Sequence, residues 1–266
     1  MKKQPIGVFD SGLGGLTILN ALRRELPQED LIYFGDTANV PYGSKSKAAV
    51  TRFSLAIARF LQQENVKLII VACNTASAQA LAELRKQISV PVMGVIEPGA
   101  QKAVQTTRNG RIAVLGTEGT VKSGAYPKAV AKRNKKARVF QQACPLFVPL
   151  VEENWGKKPA AGLIAGEYLA PVKKSGADTV ILGCTHYPVL KPVIAKILGK
   201  NVTLVDSADT LAEAARAFLT AREQAETKGK GRVRVYASDD PKRFKRLAEY
   251  LLADRIGAVR LKKLNQ

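Results

Sequence analysis

The sequence is poor in the residues that build disulfide frameworks and metal centres. Its 266 residues include three cysteines and one histidine, and no C-x-x-C pair occurs. An odd number of widely separated cysteines argues against a disulfide framework, and a single histidine argues against a zinc site. We therefore expect no metal ion and no disulfide, and free thiols are typical of a cytoplasmic protein.

Long apolar runs are also missing. No run approaches the roughly 20 residues that a membrane-spanning helix needs. The first residues lead directly into a short apolar strand and show no signal-peptide pattern. Since 46% of the residues are hydrophobic and 24% are charged, as in ordinary globular proteins, we expect neither a membrane partner nor a disordered chain.

Acidic residues are scarce relative to basic ones. The chain has 42 Lys and Arg against 22 Asp and Glu, which gives a formal net charge of +20. This charge is compatible with nucleic-acid binding and with a lysine-rich solvated surface. The densest basic run, 128–138, contains no aromatic residue. We therefore favour the solvated surface and keep nucleic-acid binding as an alternative.

Short apolar runs alternate with helical periodicity almost throughout the chain. Strands that are apolar on both faces and separated by helices are typical of a mostly parallel sheet covered on both sides, so we predict an α/β fold. The predicted strands are 6–9, 31–34, 68–72, 92–96, 112–116, 139–141, 179–183, 202–205, 233–237 and 259–261. The predicted helices are 16–26, 45–64, 76–88, 121–132, 161–174, 189–198, 208–221 and 241–252.

This alternation starts twice, which predicts two domains of related plan with a cleft between them. The Pro and Gly in Ile96–Gly99 indicate a crossover between the two units. The last strand is expected to return to the first unit. We predict a first domain of residues 1–96 plus 208–266 and a second domain of residues 97–207.

Two cysteines occupy matching positions at the ends of predicted strands. Cys73 follows one apolar strand and precedes a helix, and Cys184 follows another strand with the same plan. A buried structural cysteine is the alternative at either place, but two matching sites favour chemistry. A helix N-terminus lowers the pKa of a thiol. Cys144, which precedes a proline and lacks polar neighbours, is predicted to be structural.

Two thiols that face each other suit acid–base chemistry at a carbon atom. One thiolate would remove a proton from a stereocentre while the opposite thiol delivers one to the other face, which inverts the centre without a cofactor. The developing carbanion needs fixed donors around the substrate carboxylate. Asn74, Thr75 and Thr185 follow the two cysteines directly and are candidates for that role.

Two further strand ends carry polar groups. Asp10 and Ser11 begin a glycine-rich turn before a helix, where they either bind the ammonium and carboxylate of a small substrate or only cap the helix. Tyr42 and Gly43 follow the next strand, where they either bind a carboxylate or only form a turn. Their position favours ligand binding, because parallel sheets bind ligands at the carboxyl ends of their strands.

Two titratable residues are candidate helpers. His186 lies two positions after Cys184, where it could polarise that thiol. Glu152 is a weaker candidate from spacing alone, since adjacent glutamates such as Glu152 and Glu153 are usually solvated.

Taken together, the motifs resemble those of bacterial glutamate racemases. The match runs from the first strand to about Thr210, with the motifs in the same order. The motifs are Phe-Asp-Ser-Gly-Leu-Gly-Gly-Leu at 9–16, Tyr-Phe-Gly-Asp-Thr at 33–37 with Pro-Tyr-Gly at 41–43, Ala-Cys-Asn-Thr-Ala-Ser at 72–77, Gly-Val-Ile-Glu-Pro-Gly at 94–99 and Gly-Cys-Thr-His-Tyr-Pro at 183–188.

The resemblance implies a cofactor-independent enzyme that interconverts L- and D-glutamate for peptidoglycan. It implies that Cys73 deprotonates D-glutamate and Cys184 L-glutamate, assisted by Asp10, Glu152 and His186. It further implies two pseudosymmetric α/β domains with the site between them, and a homodimer. The positions that match substrate contacts of the family are Asp10, Ser11, Tyr42, Gly43, Asn74, Thr75, Thr185 and His186.

Two alternatives remain open from the sequence. A related racemase, such as one for aspartate, would use the same pair of thiols and differ in the depth of its side-chain pocket. Because some members of the family bind DNA gyrase, the charge of +20 also leaves open a basic protein that binds nucleic acid or gyrase on this fold.

Overall fold

The computed structural model describes residues 4–252 and 255–264, and the side chains of 250 and 251 are outside the description. Within these residues the chain forms two parallel β-sheets flanked by helices, which confirms the predicted α/β class. None of the described helices is both long and apolar enough to cross a membrane.

The larger sheet joins strands from both ends of the chain. In the described residues it has six parallel strands in the order β10-β9-β2-β1-β3-β4. The central strands β1, β2 and β3 are buried throughout, as expected for a sheet covered on both faces. The strands are β1 Ile6–Asp10, β2 Leu31–Gly35, β3 Leu68–Val71, β4 Val92–Gly94, β9 Val233–Ala237 and β10 Val259–Leu261.

The smaller sheet comes from the middle of the chain. Its strands, as far as the structure describes them, are parallel and lie in the order β6-β5-β7-β8. They are β5 Arg111–Gly116, β6 Arg138–Ala143, β7 Thr179–Gly183 and β8 Thr203–Val205. Every predicted strand is therefore present, with ends that differ by a few residues. The exact division of the chain into two domains stays a prediction.

Helices connect the strands and cover both sheets. Two short 3-10 helices, Tyr42–Ser44 and Tyr187–Leu190, follow strand ends. The α-helices are α1 Leu16–Glu25, α2 Lys47–Gln63, α3 Asn74–Gln79, α4 Leu81–Gln87, α5 Ile96–Thr106, α6 Glu118–Ser123, α7 Ala125–Arg133, α8 Phe147–Glu152, α9 Pro159–Lys174, α10 Lys191–Leu198, α11 Ser207–Ala221 and α12 Pro241–Leu252.

The residues of the predicted crossover, Ile96–Gly99, form the first turn of α5, which connects β4 of the larger sheet with β5 of the smaller one. The first N–H groups of a helix have no intrahelical partner, so Pro98 removes no hydrogen bond there. Ala100 and Ala103 lie on the buried side of this helix. The burial of that side stabilises a helix at a place where Pro and Gly suggest a break.

Two predicted helices are each divided in the structure, and two helices, α5 and α8, were not predicted. The segment 76–88 forms α3 and α4, which meet at Ala80. The segment 121–132 is divided at Gly124, whose φ of 63° is a left-handed conformation that glycine adopts without strain. Helix α8 was not predicted, because it has only six residues.

The two sheets share one hydrophobic core. Buried apolar side chains form a continuous cluster that includes Ile70 of β3, Ala100 of α5 and Val114 of β5. Helix α5 packs on α7 and α11, and α11 also packs on α1. This shared core fixes the positions of the carboxyl ends of β1, β3 and β7 relative to one another. The candidate site residues lie at these strand ends.

Candidate active site

The cysteine after β3 lies at the start of a helix. Cys73 is the N-cap of α3, and its Sγ accepts a hydrogen bond from the N–H of Ala76 at 3.5 Å. The Ser11 Oγ lies 3.7 Å from the same sulfur atom. The side chain is buried, with 5% of its surface exposed. The predicted position between a strand and a helix N-terminus is therefore confirmed.

The expected low pKa of the Cys73 thiol is wrong. Burial raises the pKa of Cys73 to about 12, and the charge of Asp10 adds to the increase. The hydrogen bond that Cys73 accepts from Ala76 and the one it donates to Ser11 act in the opposite direction but are outweighed. The charge of Cys184 also raises this pKa. Cys73 is thus a protonated thiol at neutral pH.

The second cysteine belongs to a chain of polar contacts. The Sγ of Cys184 lies 3.8 Å from Nδ1 of His186, and Nε2 of His186 lies 3.1 Å from Oε1 of Glu152. Burial disfavours the charged imidazole, but the hydrogen bonds to Cys184 and Glu152 outweigh it and raise the pKa of His186 to about 10. The positive charge of His186 therefore lies beside the sulfur atom of Cys184.

Glu152 thus has a contact that its spacing in the sequence indicated only weakly. Its side chain is 23% exposed and contacts His186, whereas the side chain of Glu153 is 68% exposed and lies near Arg243. Both belong to the end of α8. The short helix turns the first glutamate into the site and the second one outward.

We expect Glu152→Gln to lower the pKa of His186 by at least about one unit, because a hydrogen bond to a carboxylate favours the charged imidazole. His186 is the only histidine, so an NMR titration of the imidazole follows a single set of signals. Glu153→Gln makes the same chemical change one residue away and should leave the titration midpoint of His186 unchanged. Equal midpoints in wild type and Glu152→Gln would contradict the assigned contact.

The raised pKa of His186 also predicts how stability depends on pH. The folded value of about 10 exceeds the unfolded value of about 6.5. The protonated His186 therefore contributes stability that is complete below pH ~6.5 and is lost as the pH rises through the folded pKa. Urea titrations measure the free energy of unfolding. The difference in this free energy between wild type and Glu152→Gln should decrease as the pH rises from ~6.5 to about 10.

Asp10 connects the two halves of the site, which are the residues around Cys73 and the residues around Cys184. Its Oδ1 accepts a hydrogen bond from the N–H of Gly12 at 2.9 Å, and its Oδ2 accepts one from Thr185 Oγ1 at 3.2 Å. Burial raises the pKa of Asp10, and the charge of His186 partly offsets that increase. A carboxyl group at the end of β1 therefore contacts the residue that follows Cys184.

The polar residues after Cys73 meet partners that sequence reasoning missed. Thr75 Oγ1 lies 2.9 Å from Thr117 Oγ1 and 3.3 Å from Thr120 Oγ1. Asn74 Nδ2 donates to the Tyr126 hydroxyl at 2.8 Å. Thr117 follows β5 and caps α6. The rule that ligands bind at strand ends, applied to β5, would have found it.

Tyr42 and Gly43 differ in what they offer to a ligand. The Tyr42 hydroxyl is buried and donates to Asp36 Oδ2 at 2.5 Å, so the side chain is already engaged. At Gly43 a Cβ atom would lie 2.6 Å from Cβ of Thr117, so glycine is needed for this close approach. The backbone N–H groups are therefore the donors that this loop offers.

Cys144 lies apart from this arrangement. It is fully buried, and its Sγ donates to the carbonyl of Gln142 at 3.7 Å. Burial is the main reason that its pKa is raised. These contacts agree with the predicted structural role. Among the described residues, no cluster of three His, Cys, Asp or Glu side chains could hold a metal ion.

A family model and known relatives match this chain. Residues 16–215 match the Asp/Glu/Hydantoin racemase family. A glutamate racemase of Geobacter metallireducens is 50% identical over 97% of this chain and 96% of its own length.

Solved structures agree with the sequence relatives. A glutamate racemase of Bacillus anthracis superposes with a TM-score of 0.96 at 37% identity, covering 99% of this chain and 98% of that one. A glutamate racemase of Francisella tularensis, solved in complex with D-glutamate, has a TM-score of 0.93 at 36% identity, with the same coverage of both chains.

Proposed function

Because the chain belongs to the Asp/Glu/hydantoin racemase family and is an amino-acid racemase, we propose that it interconverts L- and D-glutamate. The observation that carries the mechanism is the asymmetry of the two thiols. Cys73 is a buried thiol with a pKa of about 12, while Cys184 lies beside the imidazole of His186, whose pKa is about 10. In each direction of the reaction we assign one sulfur the role of base and the other the role of acid.

In the direction from L- to D-glutamate, the Cys184 thiolate removes the α-proton and becomes a thiol. The electron pair of the broken C–H bond stays on the α-carbon and its carboxylate. The Cys73 thiol then delivers its proton to the opposite face and becomes a thiolate. The reverse direction exchanges the two roles, so that Cys73 deprotonates D-glutamate. Proton exchange with water returns both sulfur atoms to their starting states.

The α-proton of an amino acid is a very weak acid, so the site must stabilise the developing negative charge. We propose that Ser11, Asn74, Thr75 and Thr185 donate hydrogen bonds to the substrate carboxylates, and that the backbone N–H groups of the Tyr42–Gly43 loop add to them. All four side chains are buried, where electrostatic interactions are stronger than in water.

We propose that three side chains assist the proton transfers. His186 holds a positive charge beside Cys184, and Glu152 supports that charge through its contact at 3.1 Å. Asp10, beside Thr185, faces the substrate ammonium. Removing any of the three should lower the rate without removing the acid–base pair itself.

Several further properties come from the family resemblance and are proposed with it. The product D-glutamate would supply peptidoglycan synthesis in the cytoplasm and so support cell-wall formation and cell shape. The enzyme would need no cofactor and act as a homodimer. The substrate would lie between a domain of residues 1–96 plus 208–266 and a domain of residues 97–207.

We expect the purified, reduced protein to racemise glutamate in D₂O, with deuterium incorporated at the α-carbon of the product. Circular dichroism of L- and D-glutamate measures the inversion, and mass spectrometry measures the deuterium. Aspartate should be racemised at least about a hundredfold less efficiently, since a side chain shorter by one methylene leaves a carboxylate contact unmade. Aspartate turnover above that of glutamate would make the related racemase the correct assignment.

The alternative function, a positively charged protein that binds nucleic acid or gyrase, makes a different prediction. A protein that only binds nucleic acid or gyrase would show tight, salt-sensitive DNA binding and no racemisation of either amino acid. Complete absence of turnover by folded, reduced protein would refute the proposed function.

A further inference from the structure

A second cleft lies outside the candidate active site, between helix α2 and the segment that follows β10. Its volume is about 380 Å³. One wall is a single face of α2, since positions 52, 56, 59 and 63 recur at helical spacing. The other wall is the segment 262–264. The lining residues are Arg52, Ala56, Arg59, Phe60, Gln63, Lys262, Lys263 and Leu264.

Positive charge dominates this cleft. Arg52, Arg59, Lys262 and Lys263 line it, and no carboxylate does so among the residues that the structure describes. The adjacent Glu64 does not neutralise them, because its Oε2 binds Arg234 Nη1 at 2.6 Å. Four cations that converge on one concave surface repel one another, so a multivalent anion placed between them is favoured.

Contacts within the protein hold two of these cations in place. Lys262 Nζ lies 5.3 Å from the centre of the Phe60 ring, a cation–π arrangement. Arg59 Nη2 donates to Gln87 Oε1 at 2.9 Å, and Gln87 is neutral. Both side chains therefore keep their full charge, and their positions are restricted before any ligand binds.

The segment that carries the lysines is itself anchored. The N–H of Lys262 donates to the carbonyl of Ala237 in β9 at 2.9 Å, which continues the sheet beyond β10. Leu264 packs against the hydrophobic cluster beneath α2. Contacts within the protein therefore fix the positions of both walls of the cleft.

We propose that this cleft binds a compound that carries an oligophosphate group. Guanidinium groups match phosphate oxygens in paired hydrogen bonds, and lysine ammonium groups add point charges. Several linked phosphates carry enough charge to meet all four cations. A single phosphate carries at most two negative charges near neutral pH and leaves part of the positive charge unmatched. This proposal does not depend on the proposed racemase function, since no candidate active-site residue lines the cleft.

The test uses inorganic tripolyphosphate, titrated into the whole chain by isothermal calorimetry at constant ionic strength. We expect saturable binding of one tripolyphosphate per chain, with inorganic monophosphate binding at least tenfold more weakly. The double variant Arg59→Gln/Lys262→Gln should weaken tripolyphosphate binding at least tenfold. The control Lys135→Gln/Lys136→Gln removes the same charge from two exposed lysines in the basic run 128–138 and should change the affinity less than twofold.

Several outcomes would overturn the proposal. One is the absence of saturable binding. Another is an equal loss of affinity in both double variants, which would show attraction to net charge alone. A third is binding of a DNA duplex that depends on Arg59 and Lys262 while tripolyphosphate does not bind, which would assign the cleft to nucleic acid. Racemase activity should persist in both variants, so a failed oligophosphate test and a failed racemase test are distinguishable.

Discussion

Cys184→Ser should lower kcat/KM for glutamate racemisation on the order of a thousandfold, within the range that a positioned acid or base supplies. A serine hydroxyl is a far weaker acid than a thiol, so the variant has no base on that face of the substrate. Cys73→Ser should have an equally large effect, because its hydroxyl is a poor proton donor to the carbanion. Circular dichroism of both enantiomers measures the loss.

Deuterium exchange distinguishes which sulfur serves which enantiomer. In D₂O, Cys184→Ser retains the base assigned to D-glutamate, so any residual exchange should favour D-glutamate and proceed without inversion. Cys73→Ser should show the opposite preference. If the two variants exchange the same enantiomer, the assignment of faces is wrong.

The third cysteine is the matched control. Cys144→Ser changes the same atoms at another buried position, and serine can donate to the Gln142 carbonyl as the thiol does. Its activity should stay within about threefold of wild type. Far-ultraviolet circular dichroism checks that all three variants fold. Near-normal rates in either Cys73→Ser or Cys184→Ser would refute the mechanism with two thiols.

Gly14→Ala should lower kcat about a hundredfold, the effect expected when catalytic groups shift by about 1 Å. A Cβ atom at Gly14 would lie 2.3 Å from Thr185 Oγ1 and 2.7 Å from His186 Nδ1. Both distances are far below van der Waals contact, so both side chains must move. The movement would disturb the bond from Thr185 to Asp10 and the contact between His186 and the second cysteine.

Gly162→Ala provides the control for this change. It lies in α9, and among the described residues no atom other than its chain neighbours and the backbone of its own helix lies within 4 Å of its added Cβ. Its activity should be unchanged, and its stability should rise by about 0.5–1 kcal/mol, because alanine is the better helix residue. Gly14→Ala should cost about 1–3 kcal/mol from overpacking, measured by urea unfolding. Wild-type activity in folded Gly14→Ala would show that the two halves do not meet as closely as the structure indicates.

Local pattern was enough to locate the strands and the polar residues and cysteines at their ends. The apolar runs before Cys73 and Cys184 end where the strands end, because a strand buried on both faces needs a continuous apolar run. Pattern did not predict the helix that begins at Ile96–Gly99, and it did not predict α8. In the first case the buried face of α5 outweighs the local signal of Pro and Gly. In the second, six residues are too few to show a period.

The sequence by itself determined the α/β class, the paired cysteines and the small polar residues beside them, because these depend on neighbours along the chain. Only the tertiary structure decided the protonation states, since the pKa of Cys73 depends on burial and on Asp10 from another strand. It also decided the contact of Glu152 with His186 and of Thr75 with Thr117. These partners lie 34 and 42 residues apart, and the packing of the two sheets on a shared core brings them together.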